Sequence, residues 1–189
     1  ITVLLKLLNR KMTKNHIFKK AYKIEREILK NAGGWQDQII ATYGGIQKVT
    51  INKRGQIKIN ELKLKKQSIT ALEKKALLVF TDETRDSAKI INEQIKNKKK
   101  IFKIYDKIKS KVKDFENLLK KKKIKKIGEL LHDHWFLKRK LTKNISNSYL
   151  DNFYFRLMNT KLFYGGKLIG AGGGGFFLLI SKNKKKAQK

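Results

Sequence analysis

Apolar residues recur at every third or fourth position over most of this chain and alternate with polar ones in a few short stretches, so the pattern predicts a mixed α and β fold. Val3, Leu4, Leu7 and Leu8 lie at helical spacing within residues 1–12, with no capping residue ahead of them, and the chain is expected to open inside a helix. A second helix is expected over residues 15–30, with Ile17, Phe18, Ala21, Tyr22, Ile28 and Leu29 on one stripe. Glu25 falls inside that stripe, where a carboxylate must be paired, bound to a metal or turned to solvent. After a loop over residues 31–38, Val49, Ile51, Ile57 and Ile59 alternate around a Lys53-Arg54-Gly55 turn, the pattern of a β-hairpin. Residues 65–75 are polar and read as a connection between two lobes. Residues 76–80 form a short buried strand, and residues 81–85 a polar elbow into a helix. Long helical stripes follow through Ile101, Ile104, Tyr105, Ile108, Val112, Phe115 and Leu119, and through Ile127, Leu130, Leu131, His134 and Trp135. A further helix is expected near residues 149–158, a strand over residues 176–180, and a solvated basic tail over residues 182–189.

With 189 residues and 40% hydrophobic content, the chain is long enough to bury a core. The absence of cysteine excludes disulfides and thiolate metal sites and fits a reducing compartment. No apolar run approaches the roughly 20 residues of a membrane span, so a cytoplasmic protein without membrane attachment is expected. A formal net charge of +32 would draw any polyanion. The excess is nevertheless lysine spread over the whole chain, no proline is present, and no RNA- or DNA-binding motif accompanies it; the lysines read as solvated helix surface, with no specific nucleic-acid partner.

Gly170, Ala171, Gly172, Gly173, Gly174 and Gly175 satisfy the spacing of a dinucleotide fingerprint, but a strand follows the run where that fingerprint needs a helix. No Gly-Lys-Ser/Thr closes it, which excludes a Walker loop. Five glycines in six positions suit a loop whose backbone approaches a ligand closely and whose N–H groups can face an anion.

Several segments, in order, resemble the GHMP kinase superfamily, and most closely its heptose 7-phosphate kinase and fucokinase-like branch. They are Ile24-Glu25-Arg26-Glu27, then Gly33-Gly34-Trp35-Gln36-Asp37-Gln38 with Tyr43-Gly44-Gly45, then residues 78–85, 130–135 with Lys138, 145–147, and finally 166–176 with the glycine run. The resemblance implies an α+β GHMP kinase fold: residues 1–70 as the remnant of an N-terminal lobe like ribosomal protein S5, and residues 71–189 as a ferredoxin-like C-terminal lobe. It implies an ATP- and Mg2+-dependent kinase acting on a sugar or sugar phosphate. Asp37 would accept the hydroxyl proton and Glu25 would ligand Mg2+. Gly34, Gln36, Gly44 and Arg85 would contact substrate, and residues 170–175 would form the phosphate and substrate loop. The family's Gly/Ser-rich phosphate loop would lie ahead of residue 1, so an inactive or truncated kinase remnant is the alternative, beside a basic nucleic-acid-binding protein. The segment Thr160-Lys161-Leu162-Phe163-Tyr164 departs from the branch and reads as varied loop packing.

Other readings of the same residues stay open. Asp37 could make an Asx turn, Glu25 could pair with a lysine, and Arg85 could cap local carbonyls. His132 and His134 lie two apart on a helix and point to different faces, so they form no metal pair; His134 is expected in the core and His132 on the surface. Trp135 is expected in the core, and Lys138 either on the surface or on substrate.

Overall fold

The chain folds into two compact units, Ile1–Lys63 and Leu64–Lys189. The computed structural model describes residues 1–84 and 86–188.

In the first unit, α1 (Thr2–Leu7) stops where Asn9 takes a left-handed conformation, with φ 50°, which asparagine tolerates better than most residues. The expected helix to residue 12 is therefore shorter, and Val3, Leu4, Leu7 and Leu8 are exposed rather than packed. Helix α2 (Lys14–Tyr22) is capped by Thr13, whose hydroxyl accepts the His16 N–H. It runs on into a π-helix, Lys23–Ile28, whose wider turn shifts the side-chain register. That shift is why Ile28 and Leu29 leave the expected stripe and are exposed. Helix α3 (Gln36–Tyr43) packs on α2 through buried Phe18 and Ile39. The Phe18 ring meets Trp35 edge-on and lies 6.0 Å from Tyr43, while Trp35 stacks on Tyr22 at 3.4 Å. Strands β1 (Gln47–Ile51) and β2 (Ile57–Glu61) form the expected hairpin, pairing Val49 with Ile59 and Ile51 with Ile57. The Asn52 side chain accepts the N–H groups of Arg54 and Gln56 to hold its turn.

The second unit is built on an antiparallel sheet in the order β3 (Ala76–Phe80), β5 (Phe176–Ser181), β4 (Phe163–Leu168). Around it run α4 (Lys66–Glu73), α5 (Ser87–Lys96), α6 (Lys98–Lys120), α7 (Ile124–Lys138), α8 (Ser148–Asn159) and α9 (Lys184–Ala187), with a 3-10 turn at Lys143–Ile145. Trp135, Leu150, Tyr154, Leu168, Phe177 and Leu179 are fully buried together, so Trp135 is core as expected. Helix α7 lies directly on β4 because two glycines admit it. A Cβ on Gly165 would fall 2.4 Å from the Gly128 carbonyl oxygen, and one on Gly128 would fall 2.6 Å from the Tyr164 Cβ.

Three segments differ from the sequence expectation. Phe163 and Tyr164 begin strand β4 instead of forming a loop; the Gly165-Gly166 pair and a register shift between Phe163 and Gly165 hide the alternation. The polar stretch taken as a connection contains α4, whose Leu72, with Leu64 ahead of it, packs on the cluster of Leu119, Ile127, Leu131 and Ile180. The basic tail carries α9, capped by Asn183, and Ala187 packs against the core.

Candidate active site

In the first unit, the start of α3 points two neighbouring side chains in opposite directions. Asp37, in the first helical turn, is three-quarters exposed, while Gln38 is buried. A carboxylate in that turn is favoured by the positive end of the helix dipole. The Gln38 amide donates to Glu25 Oε2 at 2.5 Å, and Arg26 Nη1 lies 3.1 Å from Glu25 Oε1. The same guanidinium donates to the carbonyls of Ala32 (3.0 Å) and Asn31 (3.4 Å), and its Nη2 stands 3.9 Å from Asp37 Oδ2. Glu25 is thus paired, and its carboxylate keeps 42% of its exposure. The π-helix puts Glu25 and Arg26 beside this loop, and such helices concentrate at functional sites. Gln36, the first residue of α3, is exposed; so is Gly34, around which no atom would meet a Cβ within 4 Å. Gly44 caps α3 with φ 69° and accepts the Gln47 side-chain amide at 2.7 Å.

In the second unit, the glycine run joins β4 to β5 and is fastened at three places. The ammonium of Lys138, a buried residue of α7, donates to the carbonyls of Leu168 (3.1 Å) and Gly170 (2.6 Å). In mid-run, the Gly173 N–H donates to the Ile145 carbonyl at 2.8 Å. At the exit, the Gly175 N–H donates to the Glu83 carbonyl at 2.9 Å, and its own carbonyl accepts both the N–H and the hydroxyl of buried Thr81. Only glycine fits parts of this path. Gly172 and Gly174 have φ of 125° and 138°, and a Cβ on either would lie within 3 Å of Ile145 Cα or the Glu83 carbonyl oxygen respectively. Ala171 packs against the main core cluster. The Glu83 carboxylate accepts the Asn147 side-chain amide at 3.1 Å, which brings the elbow after β3 and the start of α8 to the same loop.

The structure therefore gathers Glu25, Gln36, Asp37 and the Gly34 loop in one unit, and residues 170–175 in the other. Arg85 lies outside the described residues. Lys138 is neither a surface residue nor turned outward: it is buried and holds the loop. His132 is not a surface residue; its ring nitrogen bonds the Tyr154 hydroxyl at 2.8 Å. His134 is mostly buried, and burial, reinforced by Lys167, Lys138 and Lys111, lowers its pKa to about 4. Sequence reasoning gave no role to Arg26, Gln38, Thr81 or Glu83. For Arg26 a signal was available, since arginine is scarce in a lysine-rich chain and its planar fork suits several acceptors at once.

Residues 1–45 match the family model for the GHMP kinases N terminal domain. The chain is 32% identical over 168 residues to the D-glycero-alpha-D-manno-heptose 7-phosphate kinase of Campylobacter jejuni, covering 87% of this chain and 49% of that protein. It is 27% identical over 169 residues to the bifunctional fucokinase/GDP-fucose pyrophosphorylase of Arabidopsis thaliana, covering 86% of this chain and 16% of that one. The chain thus spans half or less of the length of these relatives. Its fold matches that of Streptococcus pneumoniae phosphomevalonate kinase with a TM-score of 0.74, at 16% identity, over 99% of this chain and 59% of the other. The chain is thus similar to the GHMP kinases N terminal domain at its start and to sugar kinases over most of its length, and it shares the α+β fold of a kinase of known structure.

Proposed function

We propose that the protein transfers the γ-phosphoryl group of MgATP to a hydroxyl of a sugar or sugar phosphate of the heptose 7-phosphate kind, in the cytoplasm. The observation that carries this reading is the paired arrangement at the start of α3: an exposed carboxylate, Asp37, beside a second, Glu25, that is held by Arg26 and Gln38. Similarity to the Campylobacter heptose 7-phosphate kinase supports the choice of acceptor.

Phosphoryl transfer asks a protein mainly to position its reactants and to neutralise charge. Asp37 is exposed enough to meet an acceptor hydroxyl and take its proton, a role that contributes about 10² to 10⁴ in rate. Gln36 and Gly34, exposed beside it, would contact the sugar, with Gly44 as a further proposed contact in this unit; Arg85 is proposed as a substrate contact from the resemblance alone. The open space at Gly34 leaves backbone available to a ligand. The glycine run in the second unit would line the phosphates and substrate with backbone.

Glu25 fits a magnesium ion. Its Oε2 accepts the Gln38 amide and its Oε1 is ion-paired with Arg26, so both oxygens keep lone pairs, and the ion needs only one or two carboxylates when nucleotide phosphates supply other ligands. Among the described residues no cluster of three or more potential metal ligands forms, so in this reading the nucleotide phosphates would have to supply the remaining ligands. Magnesium bound there would offset charge on the β and γ phosphates. Partners such as Arg26, by its ion pair, and Gln38, by its hydrogen bond, would orient Glu25 as a metal-binding carboxylate.

The test is ATP-dependent phosphorylation by the full-length protein of a panel of heptose, fucose and mannose phosphates. Turnover is expected with a heptose phosphate. A folded protein that binds ATP and phosphorylates none of the panel contradicts the reading.

A further inference from the structure

Arg26 does more in the first unit than hold the Glu25 carboxylate. Its side chain is 9% exposed, in a chain where most cations are solvated. It reaches three segments of that unit: Glu25 Oε1 on the π-helix, the Asn31 and Ala32 carbonyls on the loop, and, more loosely, Asp37 Oδ2 at the start of α3. The loop is shaped to receive it, because a Cβ on Gly33 would lie 2.3 Å from the guanidinium carbon. Gln38, next to Asp37, reaches the other oxygen of Glu25 and closes the circuit back to α3. A lysine could not do this. One ammonium cannot reach acceptors on three segments, whereas a planar fork can.

We infer that Arg26 is the positioning residue of the site: its guanidinium, seated on Gly33, fixes the loop over residues 31–34 and sets the placement of Glu25 relative to Asp37. This rests on the kinase reading for its effect on turnover, but its structural half does not. The Asp37 contact, at 3.9 Å to an exposed carboxylate, is the weakest link of the network. The firm links are those to Glu25 and to the loop carbonyls. Arg26 therefore acts through the backbone path that leads into α3 and not by holding the Asp37 carboxylate itself.

The experiment compares Arg26→Met, Arg26→Lys, Gly33→Ala and the Arg26→Met/Gly33→Ala double variant in the full-length protein. It reads steady-state kinetics with ATP and a heptose phosphate, and acrylamide quenching of tryptophan fluorescence. Trp35 sits beside the loop stacked on Tyr22, so the part of the quenching that disappears in a Trp35→Phe background reports on the loop. Arg26→Met and Gly33→Ala are each expected to lower kcat at least tenfold, to leave KM within about threefold, and to increase quenching of Trp35. Arg26→Lys is expected to recover little of the loss. The double variant should be no worse than the weaker single one, because both changes remove the same seating and coupled residues are non-additive. Unchanged kcat and quenching in folded Arg26→Met or Gly33→Ala overturns the inference. So do losses that simply add in the double variant, or full recovery by lysine. If the wild-type protein phosphorylates no sugar while the quenching changes appear as stated, the positioning role of Arg26 stands and the kinase reading falls.

Discussion

Replacing Gly165 by alanine tests how the second unit is assembled. The residue has φ 143°, and the new Cβ would lie 2.4 Å from the Gly128 carbonyl oxygen and 2.8 Å from the His132 Cβ. The nearest obstacle is helix backbone, which cannot swing aside as a long side chain can, so α7 must lift from β4. Overpacking of this kind costs about 1–3 kcal/mol, and a side chain forced into a sparsely populated backbone region costs about 1–3 kcal/mol more. A total of about 2–6 kcal/mol corresponds to a fall in Tm of roughly 4–24 °C for a chain of this size. Gly55→Ala is the control. Its φ of 74° carries the conformational cost alone, because no atom lies within 4 Å of the added Cβ, and about 1–2 kcal/mol is expected. Urea denaturation followed by tryptophan fluorescence separates the two cases, since Trp135 belongs to the second unit and Trp35 to the first. If Gly165→Ala costs less than about 1 kcal/mol, α7 does not rest on β4 at the distance described, and the account of the glycine pair fails.

Further expectations follow from other contacts. Lys138→Met removes two charge-assisted hydrogen bonds to the Leu168 and Gly170 carbonyls. It should speed hydrogen exchange at the Gly173 and Gly175 amides at least tenfold, and unchanged exchange would show that the loop is held without it. Asp86→Ala deletes the cap that accepts the Ala88 and Lys89 N–H groups at the start of α5, and should cost about 0.5–2 kcal/mol in thermal unfolding. His134 titrates near 4 when folded and near 6.5 when unfolded, so the unfolded chain binds the extra proton first. Its contribution to stability is fully present above pH 6.5 and is lost as the pH falls toward 4. His134→Gln should flatten that part of the stability–pH curve, measured by urea midpoints, and an unchanged slope would contradict the assignment.

Much of the architecture was legible because packing follows simple periods. The stripe through Ile101 and Leu119 is α6, the run at residues 76–80 is β3, although Leu78 and Phe80 are exposed where a buried strand was expected, and the Val49–Ile59 alternation is the hairpin. What escaped the pattern had a physical reason. Strand β4 was hidden because two adjacent glycines interrupt its alternation; Gly165 makes room for α7, and Gly166 lies close against β5. Helix α4 was read as a connection because only a narrow side of a mostly polar segment is needed to cover the lower cluster. The π-helix, which moves Ile28 and Leu29 to the surface, leaves no mark in hydrophobic spacing. Lys138 was read as either a surface residue or a substrate contact because sequence cannot show that backbone carbonyls would receive its ammonium. Glu25 was noticed for its place in an apolar stripe, and the same oddity could have drawn attention to its neighbour Arg26.

The most direct test of the proposed chemistry is the phosphoryl transfer rate of Asp37→Asn in the full-length protein, with a heptose phosphate and MgATP. Asparagine keeps the size of the side chain on the exposed face of α3, so the circular dichroism spectrum and Tm should match those of the wild type. The account predicts that kcat falls by about 10² to 10⁴ while ATP binding is retained; a folded Asp37→Asn protein that turns over at the wild-type rate would contradict it.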